Sequence, residues 1–325
     1  MPRPDVIVAS MPPHDIAYEA ARYGKANNIP VIVDIRDPWP DLFLNHVPIL
    51  FRGIFRILLS KDFMMTRNTK ATSYSLIAVT DTFLSWGLAY AKRKKRERDR
   101  VFYLGYKKRS AECNSSSRLQ TVVKGLENKF CVIFVGTFGY YHNPSILIDC
   151  ADRLNRLHEH GIHFIIAGDG EYLHQIKKRS AGLPNVTFTG WLDQAEIDFL
   201  LENTHVGLCP TPQNIDFFPN KAFAYFAWNL PVISALQGDL RKILEEHGAG
   251  FYYPPNDVET LMECIRKLRD APDLYKKMSD NARRIFDALF DADRIYRDYA
   301  DHVERIALNF QISPVRSEGE KGPVQ

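Results

Sequence analysis

Short apolar runs alternate with longer stretches of helical periodicity along almost the whole chain. In the C-terminal half, "CVIFVG" (Cys131–Gly136) ends at a glycine and gives way to the amphipathic "SILIDCADRLNRLHEHG". The pattern then repeats: "HFIIAGDG", a helix from about Glu171, "NVTFTG", a helix near Gln194–Glu202, "VGLCP", and a helix opening in "FPNKAFAYFAWNLP". "PVISA", a helix around Asp239–His247, "GFYYP" and a helix from Asp257 to Leu268 complete it. Strands this apolar, each separated from the next by a helix, predict a parallel sheet covered on both faces. Six of them make a doubly wound, Rossmann-like domain over 126–290. Ligands of that architecture sit at the carboxyl ends of the strands, where this sequence places Gly136, Gly168, Gly190 and Pro210.

The N-terminal part uses the same alternation but less of it. "DVIVAS", a helix around His14–Ala26, "PVIVDIRD", a helical stretch near Ile49–Ser60, "LIAVTD", another helix and "VFYLG" at Val101–Gly105 supply four strands. Residues 1–115 therefore read as a partial domain, since a doubly wound sheet usually has about five or six strands; a βα portion is expected outside this sequence. Tyr106–Gly125 is polar, Ser-rich and aperiodic, the composition of an interdomain connection. Residues 291–311 read as a C-terminal helix, and 312–325 carry too little apolar content to fold.

Composition narrows the function. The 325 residues are 45% hydrophobic and 25% charged, an ordinary balance for about two soluble domains. A net charge of +3, with no long basic stripe interleaved with aromatics, argues against nucleic acid. Cys113, Cys131, Cys150, Cys209 and Cys264 are scattered, with no C-x-x-C and no histidines at ligand spacing. They read as small buried hydrophobes in a reducing compartment, and no metal is expected. No signal peptide precedes the first strand, and no apolar run reaches the ~18 residues of a membrane span. The expected location is cytoplasmic.

Candidate chemistry begins at "NIDFFPNKAFAYFAWNLP", where Lys221 occupies the first turn of a helix. The macrodipole and unpaired N–H groups already make that end positive, so a lysine there calls for an anion unless it extends into water. Two glycine-bearing loops share the same predicted sheet edge, "GTFGYYHN" and "GDG". Each alone is a plain βα turn; together with Lys221 they favour a nucleotide diphosphate held by amides and an ammonium.

The series "VGTFGYYHN", "FIIAGDGEYLHQIKK", "LPNVTFTGWL", "FPNKAFAYFAWNLPVI" and "GAGFYYPPNDVETL" resembles the donor-binding domain of the family 4 glycosyltransferases of GT-B fold. "DVIVASMPPHDIAYEAARYGKANNIPVIVDIRDPWP" resembles the second half of that family's acceptor-side domain, and the likeness is nearest to bacterial members that build surface polysaccharides. The resemblance implies two Rossmann-like domains facing a cleft and retaining transfer of a sugar from a nucleotide diphosphate donor, without metal or other cofactor. The acceptor would be a growing glycan or a lipid-linked one. It implies donor contacts from Gly136, Thr137, Gly139, Gly168, Trp191, Leu192, Phe217, Phe218 and Lys221, with Trp191 and Leu192 beside the base. Arg36 and Asp37 end a strand where many members carry a sugar-contacting histidine; the alternative for them is an ion pair capping the strand.

Two departures qualify the likeness. The family's paired glutamates fall here at Asp216 and Ala224, so Asp216 is the remaining carboxylate near the sugar and the ribose contact is lost. Losing it costs about 1.5–3 kcal/mol of donor binding. The opening βα unit of the acceptor-side domain is also unaccounted for, which leaves an upstream start, a partner chain or a degraded relative as readings. A non-catalytic nucleotide-sugar binder or partner subunit is therefore the rival function, with a sugar-nucleotide 2-epimerase behind it. Finally, "PILFRGIFRILLSK" (Pro48–Lys61) and "KRKKRERDR" (Lys92–Arg100) together could seat the N-terminal domain on the inner face of an anionic membrane. The alternative is a helix packed on the sheet plus a solvated charged turn.

Overall fold

In the computed structural model the alternating pattern folds into two separate parallel sheets, one in each of two units. The structure describes residues 3–45, 47–108, 117–139, 143–212 and 217–312. The first unit comprises Met1–Tyr103 with Arg294–Gln325, and the second Leu104–Asp293.

The first unit runs β1 (Ile7–Met11), α1 (His14–Asn27), β2 (Val31–Ile35), α2 (Asp41–Leu44), a 3-10 turn at Ile49–Phe51, α3 (Arg52–Leu58), α4 (Ser60–Thr72), β3 (Ser75–Ala78), α5 (Asp81–Ala91) and β4 (Arg100–Val101). Its strands lie in the order β1-β2-β3-β4, all parallel. Every residue of β2 is buried, as expected of a strand covered on both faces. α1 stops where Asn28 turns left-handed (φ 51°) and returns its N–H to Gly24, and α5 starts at Thr80, whose hydroxyl accepts from the Phe83 N–H at 3.1 Å. The final helix, Ala292–Ile312, packs on this sheet: Ile306 joins Ile32 and Ile77, with Tyr299 and Val303 against them.

Three expectations change here. The helical stretch near Ile49–Ser60 resolves into α3 followed by α4, because chain rich in helix formers runs on past Ser60. "VFYLG" contributes a strand only at Arg100–Val101. The charged run Lys92–Arg100 is not simply a solvated turn. Asp99 is buried, pairs with Arg93 and accepts the N–H groups of Leu76 (2.9 Å) and Arg96 (2.8 Å). α5 carries the chain from the carboxyl to the amino end of the sheet, so this run lies at the opposite end from Pro48–Lys61, and the two do not form one face.

The second unit runs α6 (Ser117–Lys124), β5 (Phe130–Val135), α7 (Ser145–Arg156), β6 (Ile162–Ala167), α8 (Leu173–Arg179), β7 (Val186–Gly190), α9 (Gln194–Glu202), β8 (Val206–Cys209), α10 (Asn220–Ala227), β9 (Val232–Ser234), α11 (Gly238–His247), β10 (Gly250–Tyr252), α12 (Val258–Asp270) and α13 (Pro272–Ile285). The six expected strands are present, ordered β10-β9-β8-β5-β6-β7. α6 was not expected. It forms where Leu119, Val122 and Val123 recur at helical spacing, and Leu119 is fully buried. After β5 the chain moves outward through β6 and β7, then crosses back to lay β8 on the other side of β5. Loops leaving β5 and β8 thus diverge, and this switch point opens a crevice at the carboxyl edge. The expected 312–325 tail falls almost wholly outside the described residues.

Candidate functional site

The crevice is built by two close approaches of backbone. Gly136 follows β5 at φ 148° and Gly168 follows β6 at φ 130°, conformations that favour glycine. A β-carbon on Gly168 would lie 2.0 Å from the Gly136 carbonyl oxygen, and one on Gly170 would lie 2.4 Å from that of Phe138. The two loops are also tied by hydrogen bonds: Gly136 N–H donates to Ala167 (3.0 Å), Phe138 N–H to Asp169 (2.9 Å) and Gly168 N–H to Gly190 (2.8 Å). Sequence reading expected these amides to face a phosphate. The amides of Gly136, Phe138 and Gly168 hold loop on loop, and the glycines serve that packing. Replacing Gly168 with alanine is expected to separate the loops, lowering the melting temperature and abolishing nucleotide binding together. Differential scanning calorimetry and titration on one preparation check it; an unchanged melting temperature contradicts the packing role.

Lys221 completes the edge. The residue as a whole is only half-buried, but its ammonium is fully buried and has no hydrogen-bond partner among the described residues. Nζ stands 3.9 Å from the centroid of the Phe134 ring, and a β-carbon on Gly136 would come within 2.9 Å of it. Thus the side chain neither extends into water nor projects beyond the helix start. It folds back across the end of β5. Among the described residues no side chain caps α10 at Pro219, which leaves that end open to an anion. Burial pushes the Lys221 ammonium down to about 8, with the Cys209 side chain opposing weakly. A buried, unpartnered ammonium is costly and is relieved by an anion.

Tyr225, one turn further on, sets the position of α10. It is fully buried, its hydroxyl accepts the Val135 N–H at 3.0 Å and donates to the Leu208 carbonyl at 3.3 Å. It therefore joins the ends of β5 and β8 directly beneath Lys221. Gly207 makes room, since a β-carbon there would strike the ring at 2.2 Å.

The other expected donor residues divide. Thr137 is exposed on the β5 loop and Gly139 lies at its described end. Trp191 follows Gly190 and is 75% exposed, whereas Leu192 is buried, so only its backbone remains available there. Phe218 stacks on Phe223 at 4.7 Å and meets Phe290 at 5.5 Å, a packing role that anchors the approach to α10; Phe217 precedes it and is half-buried. Asp216 lies outside the described residues, and Ala224 is buried. A cavity of about 480 Å³ opens between Asn143, Tyr172, Thr211 and Asn256, but its cation, Arg179, is already paired with Asp149.

The model of the family described as "Glycosyl transferases group 1" matches residues 118–285, just over half of the chain. The chain belongs to the group 1 glycosyl transferases. O-antigen chain mannosyltransferase C of Escherichia coli is 26% identical over 172 residues, 52% of this chain and 45% of that protein. Alpha-D-kanosaminyltransferase of Streptomyces kanamyceticus is 24% identical over 162 residues, 49% of this chain and 41% of that protein. This group 1 chain thus spans less than half the length of the curated relatives it matches. Among solved structures, Anabaena Alr3699/HepE in complex with UDP aligns with a TM-score of 0.70 at 16% identity, covering 92% of this chain and 79% of that one. At that identity the likeness speaks to the fold: an α/β chain of GT-B type with two Rossmann-like units.

In the first unit of this group 1 chain, Arg36 and Asp37 do follow β2 at the carboxyl edge, but they do not pair with each other. Arg36 forks onto Asp34, two residues back on the same strand face, at 2.6 and 2.8 Å. Asp34 is buried and also accepts from the Tyr299 hydroxyl at 3.3 Å. Burial pushes the Asp34 carboxyl upward, with Arg36 opposing. Arg36 thus pairs with Asp34, while Asp37 stays half-buried with its carboxyl raised by desolvation. Sequence reading missed His14. It opens α1 immediately beyond β1, is buried, keeps both ring nitrogens unpartnered and stands 5.8 Å from Trp39. Its position directly after a strand, in "MPPHD", was the available signal.

Proposed function

We propose that this chain transfers a sugar from a nucleotide diphosphate donor to a glycan or lipid-linked acceptor in surface-polysaccharide assembly, with retention at the sugar carbon. The carrying observation is the Lys221 ammonium, buried and unpartnered at the switch-point crevice. In the step proposed, the bond from the sugar C1 to the diphosphate oxygen breaks with its electron pair going to that oxygen. The acceptor hydroxyl oxygen bonds C1 from the same face and its proton passes to the departing diphosphate. Lys221 and the open start of α10 stabilise the charge as it develops. Exposed Trp191 offers a face for the base. The phosphate charge falls to protein groups and no metal is invoked.

Calorimetric titration with UDP, GDP, ADP and dTDP, followed by a donor screen with the base that binds, tests this reading. Saturable binding of one nucleotide and release of it on transfer are expected; no binding by folded protein contradicts it. A second reading, a nucleotide-sugar binder without turnover, rests on buried Ala224, which offers no carboxylate to a ribose. Binding without transfer to any acceptor selects that reading.

The low Lys221 pKa makes a pH prediction. An anion restores the ammonium towards its ordinary value, so binding takes up a proton at pH values above about 8. Affinity is expected to be flat below pH 7 and to weaken up to about tenfold per pH unit above 8. Titration at pH 8.5 in two buffers of different ionisation enthalpy measures the uptake. A pH-independent affinity between 7 and 9.5 refutes the link.

A further inference from the structure

The segment from Ile49 to Leu58 has no counterpart in any of the chemistry above. α3 has no buried residue at all. Ile49, Leu50, Ile57 and Leu58 are 79, 89, 74 and 70% exposed, and Phe51, Ile54 and Phe55 are exposed beside them. Monomeric surfaces rarely carry so many large apolar side chains together. Ile54, Phe55, Ile57 and Leu58 fill one face about 160° wide, with Arg52 and Arg56 on the opposite side of the helix. A broad exposed apolar face backed by basic side chains is the pattern of a helix lying in a membrane interface.

The charges favour one kind of fluid boundary. Arg52, Arg56 and Lys61 punctuate the segment, and no carboxylate occurs between Asp41 and Asp62. Asp41 is already engaged, accepting from Trp86 Nε1 at 3.0 Å and Tyr90 OH at 2.6 Å. The Arg52 Nε donates to the Val47 carbonyl at 3.1 Å and the Arg56 guanidinium lies 5.8 Å from the Phe63 ring, so both cations lean back from the apolar tip. That is the arrangement of side chains that stay at headgroup level while their neighbours enter the acyl region. A second copy of the chain would, in a two-fold contact, set these three cations against themselves. No helix among the described residues is long and apolar enough to cross a membrane.

We propose that Ile49–Leu58 is an interfacial anchor that inserts into an anionic bilayer, with Arg52, Arg56 and Lys61 on the phosphate groups. This goes beyond the transferase reading and does not depend on it. It also narrows the membrane surface read from the sequence, because Lys92–Arg100 lies at the other end of the sheet and is left out.

The test is flotation of the full chain with vesicles of phosphatidylcholine, with and without 30 mol% phosphatidylglycerol (roughly the charge density that basic anchors sense). Wild type is expected to float with the anionic vesicles and much less with the neutral ones. The Leu50→Ser/Ile57→Ser variant is expected to lose at least about tenfold in partitioning, with unchanged circular dichroism because both positions are exposed. Arg52→Gln/Arg56→Gln should lose binding to anionic vesicles only. Nucleotide affinity should be unchanged in all variants. Wild type remaining with the soluble fraction overturns the proposal, as does equal flotation of the serine variant. So does a serine variant that turns a dimer into a monomer without changing flotation, which would assign the patch to a second copy.

Discussion

Replacing Lys221 with methionine is expected to weaken nucleotide diphosphate binding by roughly a hundred- to a thousandfold while leaving the protein at least as stable as wild type. The two halves of that result come from one fact. In the free protein the ammonium is buried over the Phe134 ring with no hydrogen-bond partner among the described residues. Burying a charge without a partner costs free energy, and the aromatic face offsets only part of it. Methionine fills the same space without the charge, so folding loses nothing. Binding loses a desolvated charge-assisted contact, worth about 3–4 kcal/mol when one partner of such a pair is removed. An ordinary surface lysine would give neither effect at that size. Titration with the nucleotide that wild type selects, alongside thermal melts, reads both. A variant that binds normally removes Lys221 from the site, whereas one that melts lower shows that the ammonium has a partner in the free protein.

That outcome also marks how far sequence alone could reach. Lys221 was legible as an anion-seeking residue because Pro219 and the apolar run behind it fix a helix start. Its depth was not, because nothing in the linear order says that α10 leans over the end of β5, or that Tyr225 pins it there through Val135 and Leu208. The strands of the second unit were legible because buried parallel strands are short continuous apolar runs, whereas the capping box of Asp193 and Glu196 that starts α9 went unread. The glycine loops were placed at the correct edge, but their packing task was not seen, since an amide's partner on the neighbouring strand leaves no trace in spacing. The partner of Arg36 could have been read from spacing. Asp34 lies near the end of β2 and Arg36 just beyond it, two residues apart, the spacing that puts side chains of extended chain on one face. His14 was missed because a single histidine carries no periodicity, and its isolation from partners is a fact of packing.

The second large effect is expected from Lys70, which no motif marks. It lies on α4, wholly buried, with Nζ 3.8 Å from the Trp86 ring, 5.2 Å from the Tyr90 ring and 3.5 Å from the Met11 sulfur. Burial pushes its pKa down to about 6, opposed by Asp41. From about pH 6 to 10.5 the unfolded chain therefore holds a proton that the folded chain has released. Stability must rise with pH across that window, and the penalty is fully present below pH 6. The aromatic faces return some of the cost, so a net destabilisation of about 2–4 kcal/mol near pH 6 is the reasonable size. Lys70→Met is then expected to raise the melting temperature at pH 6 by roughly 4–12 °C. The gain should shrink as pH approaches 10, because the wild type sheds its burden there and the variant has none to shed. Paired melts of wild type and variant at pH 6, 7.5 and 9 isolate this term from every other titrating group. A variant that melts lower at pH 6, or a gain that does not change with pH, would mean that the rings and Asp41 hold the ammonium charged at no net cost, and that Lys70 belongs to the core as a cation rather than as a tolerated liability.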